Sequence, residues 1–82
     1  MNTRKNGMRR EFKDAIKDYV KSLAHKMVVH HYIVALWENE SAELTQFLRL
    51  DIARAAAKQW DGQVWEIIPN DGTTGAIARA RG

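Results

Sequence analysis

The stretch "ELTQFLRLDIARAAAKQWDG", residues 43–62, constrains the fold more than any other part of the chain. Two readings compete. As one helix over 42–60, it places Leu44, Phe47, Leu48 and Ala55 on a common face with Asp51 in the middle. Burying that carboxylate without a partner is costly. Lys58 would also lie close to that face, and Leu50 would point away from it. If the helix instead begins after Asp51, the aspartate serves as N-cap and accepts from the first free backbone amides. Ile52, Ala56 and Trp60 then line one side with Ala53, and Arg54 and Lys58 point away. The preceding "AELTQFLRL" alternates as a strand, with Leu44, Leu48 and Leu50 against Thr45, Phe47 and Arg49, and Gln46 the one polar residue on the leucine side. The second reading separates charge from apolar surface cleanly and is adopted. The alanines of "ARAAAKQW" favour a short helix that can lie close to a sheet.

The rest of the chain supports a sheet. From Met8 to Met27 the residues Phe12, Ile16, Tyr19, Leu23 and Met27 recur every three or four positions, which predicts a helix over 8–27. Asp14/Lys17 and Asp18/Lys21 lie on its solvent side. "VVHHYIVALW" is β-branched and aromatic, which predicts a strand at 28–37 and a turn at 38–41. Both faces of that strand are largely apolar, so it should be central, or covered on both sides. Continuation of the first helix through this run is the competing reading. Asp61-Gly62 should end the second helix. "QVWEIIP" reads as a strand with Val64, Glu66 and Ile68 on one face and Trp65 and Ile67 on the other. "NDGT" at 70–73 reads as a turn, and "TGAIARARG" as a last strand. The expectation is an α+β fold with an N-terminal helix, a β-hairpin, a short helix and a second β-hairpin (α-β-β-α-β-β) on an antiparallel sheet.

With 82 residues the chain suffices for one small domain, here 8–82, preceded by a basic arm at 1–7 that should fray. The charge is uneven. Residues 1–13 carry Arg4, Lys5, Arg9, Arg10 and Lys13 against Glu11 alone, and the end adds Arg79 and Arg81. Between them six basic residues face nine acidic ones. Basic ends suggest an anionic partner or a solvated arm. The absence of cysteine excludes disulfides and thiolate metal sites and fits a reducing compartment. No apolar segment is long enough to span a bilayer, and no h-region follows the basic start. A cytoplasmic protein with no membrane contact is expected.

Catalytic constellations are missing. His25, His30 and His31 fall within seven residues, but neighbours on a strand point to opposite faces, so His30 and His31 should not share a metal ion. They are expected at the strand's start, partly exposed. Ser22 and Ser41 lack a GxSxG context, and the glycines form no phosphate loop. Glu38, Glu40 and Glu43 read as a solvated turn rather than paired catalytic carboxylates. No enzyme activity, cofactor or metal is expected. Trp60 is expected in the core. Trp37 and Trp65 are open to either role: core packing, or stacking on bases and partners. The candidate contact residues, for a partner or for nucleic acid, are Arg4, Lys5, Arg9, Arg10, Trp37, Arg54, Lys58, Trp65, Arg79 and Arg81.

Over residues 46–80 the layout resembles that of several small phage-encoded anti-CRISPR proteins. The matching positions are Asp51, Ile52, Ala55 and Ala56 at the helix start, then Gly62 and Val64 in the strand before the last hairpin. The helix over 8–27 has no counterpart in that pattern. Several such inhibitors are acidic and mimic DNA, whereas this chain is basic at both ends. The resemblance implies a stoichiometric inhibitor of a host CRISPR effector complex, in the cytoplasm of a bacterial host. A small nucleic-acid-binding module is the alternative, and self-association into a homodimer stays open because both faces of strand 28–37 want cover.

Overall fold

The computed structural model describes residues 10–70 and 74–81. The element order is α1 (Arg10–Ser22), β1 (His31–Glu38), β2 (Ser41–Phe47), α2 (Leu50–Trp60), β3 (Gln63–Pro69) and β4 (Ala76–Arg81). This is the expected α+β order of helix, hairpin, helix, hairpin. The four strands form one antiparallel sheet in the order β2-β1-β3-β4. β1 therefore lies between its hairpin partner β2 and the first strand of the second hairpin, β3, and β2 and β3 run parallel on either side of it. The arm expected over 1–7 and most of the turn expected at 70–73 lie outside the described residues.

One helix covers each face of the sheet. On the α1 face, Phe12 and Ile16 pack against Ile33, Ala35, Trp65 and Ile67. On the other, Ala53 and Ala57 of α2 pack against Val34 and Val64. Strand alternation sorts the residues between the two layers. The central placement of the 28–37 run is borne out, since Ile33, Val34 and Ala35 are all buried between the helices. So is the division of β3, with Trp65 and Ile67 in one cluster and Val64 in the other.

Several boundaries differ from expectation. The first helix ends at Ser22 rather than at 27. Bonds of the i→i+3 type then tighten the chain, from Leu23 N–H to Val20 O, from Ala24 N–H to Lys21 O and from Lys26 N–H to Leu23 O. The apolar stripe holds to Leu23, whereas Met27 is exposed. The first strand starts at His31 rather than 28, and the hairpin turn contracts to Asn39 and Glu40, both at positive φ (53° and 59°). That is the type I′ geometry that matches strand twist.

The break near Asp51 is real but falls two residues earlier. β2 ends at Phe47, and α2 begins at Leu50 with extended Arg49 as N-cap. Asp51 is therefore not the cap. It sits within the first turn, where its Oδ1 accepts from Ile52 N–H at 2.9 Å and its carboxylate takes a two-pronged contact from Arg49 at 3.1 and 2.8 Å. An acid there still compensates the free amides of the helix start. The buried stripe of α2 is also rotated from expectation. Ala53 and Ala57 face the sheet, while Ile52 and Trp60 are 48% and 41% exposed. Methyl side chains let the helix approach Val34 and Val64 closely, and the bulky residues are left on its flanks.

The second helix ends with Asp61 in the left-handed conformation (φ 60°, ψ 44°), and Gly62 N–H bonds Ala57 O at 2.8 Å. Gly62 is needed for space: a Cβ there would lie 2.7 Å from Ala35 O and 2.9 Å from Val34 Cγ1. Near the other hairpin, Thr74 Oγ1 donates to Ala24 O at 3.0 Å and Gly75 N–H to Lys26 O at 3.0 Å. These bonds fasten the segment after α1 to the base of β4.

Candidate interaction surface

At Phe47 the second strand leaves the sheet to enter α2, while the incoming chain at 26–30 has not yet joined it. The gap between the two is a pocket of about 400 Å³, lined by Tyr19, Leu23, Lys26, Met27, Val28, Val29, His31, Gln46, Phe47 and Leu48. Its floor is polar and ordered. His31, buried at the start of β1, places Nδ1 2.7 Å from Val29 O. A carbonyl only accepts, so Nδ1 carries the proton. In that tautomer Nε2 is the acceptor, and Tyr19 Oη donates to it at 2.7 Å. Gln46 Nε2 in turn donates to Tyr19 Oη at 3.1 Å. Burial pushes the Tyr19 hydroxyl above its ordinary pKa, and the Gln46 bond offsets part of that rise.

The rim is apolar and exposed. Met27 is 86% exposed, Leu48 75% and Val29 68%. Phe47 lines the same pocket and continues the surface onto α2 through its ring contact with Trp60, centroid to centroid 6.0 Å. Single exposed apolar residues are ordinary, but several around one concavity mark a contact surface.

The other sheet face carries a second constellation. By register, Tyr32, Glu66 and Arg79 stand in one cross-strand row, beside Ile68 and Ile77 and beside Val64 and Arg81. Glu66 accepts from two partners, His30 Nε2 at 2.7 Å and Arg81 Nη1 at 3.4 Å. His30 also rests on Tyr32, ring centroids 5.3 Å apart. The two histidines therefore diverge, as strand geometry requires. His31, expected to be partly exposed, is in fact buried. Among the described residues no group of side chains has the makings of a metal site.

The expected contact residues are scattered by the fold. Arg4, Lys5 and Arg9 lie outside the described residues. Arg10 is exposed at the start of α1, on one side of the sheet. Arg54 and Lys58 on α2 share the opposite side with Arg79 and Arg81. Trp37 is partly exposed at the far end of β1. Trp65 is buried beneath α1, so of its two open roles it fills core packing. Trp60, expected in the core, stands on the surface beside Phe47. Met27, Val29, Leu48, Tyr19 and Gln46 were not among the sequence candidates. Met27 and Leu48 completed periodic stripes, and only the early ends of α1 and β2 turn them outward. No helix among the described residues is long and apolar enough to cross a membrane. No known protein family, characterised protein or solved structure matches the chain.

Proposed function

We infer that this chain is a non-enzymatic binding protein that acts by occupying a surface on a protein partner. The observation that carries this reading is the exposed apolar rim of Met27, Val29 and Leu48 around one polar-floored pocket. Burying such a rim against a partner releases water from apolar surface, which favours association. The polar floor gives direction to the contact, because Gln46, whose amide nitrogen donates to Tyr19 Oη, leaves its side-chain carbonyl as an acceptor. The resemblance over residues 46–80 supplies the partner class: a CRISPR effector complex of a bacterial host, inhibited stoichiometrically by a phage-derived protein in the cytoplasm. The test is a pull-down of candidate effector complexes, with a plasmid-interference assay beside it. A stable stoichiometric complex and lost interference support the reading. Binding to no effector and untouched interference overturn the inhibitor assignment.

A second reading rests on the basic side of the sheet. Arg54, Lys58, Arg79 and Arg81 share it with Tyr32 and His30. Cations beside aromatic rings suit single-stranded nucleic acid, with affinity that falls steeply as added salt reduces the gain from counterion release. A mobility shift at low salt that disappears at high salt supports this reading, and no shift at low salt removes it.

A further inference from the structure

We propose that β2 is a self-pairing edge, through which two copies of this chain join into one eight-stranded sheet. The argument begins at the β1–β2 turn. A turn through Asn39 and Glu40 bonds the carbonyl of Glu38 to the amide of Ser41, so the pair Glu38–Ser41 is a hydrogen-bonded one. Antiparallel pairs alternate from there. Ser41, Glu43, Thr45 and Phe47 therefore bond toward β1, and Ala42, Leu44 and Gln46 turn their backbone N–H and C=O groups outward. Among the described residues no strand lies on that side, since β2 is the first strand of the sheet order.

That outward set fits itself. In an antiparallel pairing about a two-fold axis at Leu44, the three outward residues all fall into hydrogen-bonded pairs: Leu44 with Leu44 of the second copy, and Ala42 with Gln46 in both directions. The side chains agree with this register. Leu44 meets Leu44 on the α1 face. Glu43 stands directly opposite Thr45 of the second copy rather than opposite another carboxylate. The same register carries Glu40 of the second copy to the position beside Leu48. β2 itself ends at Phe47, but Lys26 lines the same pocket as Leu48, so the acidic turn is brought toward a lysine at each end of the seam. The segment 38–43 holds Glu38, Glu40 and Glu43 and no basic residue, so this match is one of opposite charge.

The other edge lacks such a match. β4 carries Arg79 and Arg81 and no acid, so pairing two β4 edges would gather cations along the seam. Charge on an edge strand is a common defence against pairing. β2 contains no lysine, arginine or proline.

The test is sedimentation equilibrium of the full chain from micromolar to near-millimolar concentration. The wild-type protein should sediment as a dimer of the 9.4 kDa chain. Thr45→Glu sets two glutamates directly opposite Glu43 residues and should weaken the dimer on the order of tenfold. The double variant Glu43→Lys/Thr45→Glu restores opposite charges across the seam and should recover the wild-type constant. Because both variants carry the same change at position 45, the recovery separates a seam effect from a folding defect. Lys26→Glu should weaken the dimer as well. A wild-type chain that stays monomeric throughout, or a dimer indifferent to Thr45→Glu, overturns the proposal. So does a double variant that fails to recover. None of these readouts involves a target, so the proposal stands or falls apart from the proposed function.

Discussion

Tyr19 Oη and His31 Nε2 lie 2.7 Å apart, and that bond joins α1 to the first residue of β1, while Gln46 of β2 donates to the same hydroxyl. It places a buried imidazole in a single tautomer, with Nδ1 on Val29 O. Tyr19→Phe keeps the ring and removes the donor. His31 Nε2 would then be buried without its partner, which costs roughly 1–3 kcal/mol. Urea unfolding should show that loss with an unchanged slope. A change below about 0.5 kcal/mol would mean that water replaces the hydroxyl freely.

The same residue should contribute to alkaline unfolding. The Tyr19 hydroxyl is raised above its ordinary 10.0 by burial. A raised acid is held neutral by the fold, so its contribution is fully present below the unfolded pKa. It is lost as pH rises from 10.0 through the folded value. Stability measured from pH 8 to pH 12, roughly the span over which tyrosine titrates, should therefore fall faster for wild type than for Tyr19→Phe. Parallel curves would remove Tyr19 from the alkaline transition.

Gly62 answers to a different force. Its Cα faces the β1 backbone so closely that a Cβ would sit 2.7 Å from Ala35 O. Ala35 O is backbone, and the next atom, Val34 Cγ1 at 2.9 Å, belongs to a buried β-branched side chain with little rotamer freedom, so relief requires α2 or β3 to shift. Gly62→Ala should destabilise by about 1–3 kcal/mol, the usual cost of overpacking. Differential scanning calorimetry checks this. An unchanged midpoint would show that the α2–β3 connection moves aside without loss.

How far the sequence reveals this fold depends on which force decides each element. Alternation in "QVWEIIP" reports two covered faces, and the structure divides Trp65 and Ile67 from Val64 accordingly. The change of backbone near Asp51 was legible because a charge would otherwise be buried. Its position was not, because an acid compensates helix amides from within the first turn nearly as well as from the cap, and Arg49 holds the Asp51 carboxylate there. Asp51→Ala should accordingly cost only about 0.5 kcal/mol. The pocket rim was illegible for a related reason. Met27 and Leu48 satisfy local periodicity, and only the competition between sheet and helix at 23–30 and 48–49 decides that they end outside both elements. Trp60 could not be read from periodicity either, because the face of α2 that meets the sheet is chosen by closeness of approach, which favours alanine over bulk.

The β1–β2 turn holds removable strain. Glu40 adopts φ 59°, a conformation that costs side chains with a Cβ and leaves glycine unaffected. Glu40→Gly creates Asn-Gly, the sequence that type I′ hairpins prefer. The expected gain is about 0.5 kcal/mol after the added entropy of the unfolded glycine is subtracted. Dilute protein is needed for the measurement, so that any loss of contacts between copies does not enter. A loss of stability would show that the Glu40 side chain contributes more within its own chain than the backbone strain removes.

The apolar rim permits the sharpest separation of folding from binding. Met27, Val29 and Leu48 give up little to the core, since each is more than two-thirds exposed. Replacing all three with serine should change the unfolding free energy by no more than about 0.5 kcal/mol per substitution, as surface changes generally do. A partner seated on the rim would lose apolar contact at three positions. Each fully buried aliphatic side chain is worth roughly 1.5–3 kcal/mol relative to exposure, so even partial burial of the three gives a loss of at least tenfold in affinity. The Tyr19–His31–Gln46 floor is untouched by these changes and holds the pocket's shape in the variant. Calorimetric titration of the captured partner measures the loss directly. Full affinity in the triple variant would move the contact to the basic side of the sheet, where Arg79→Ala should then weaken it instead.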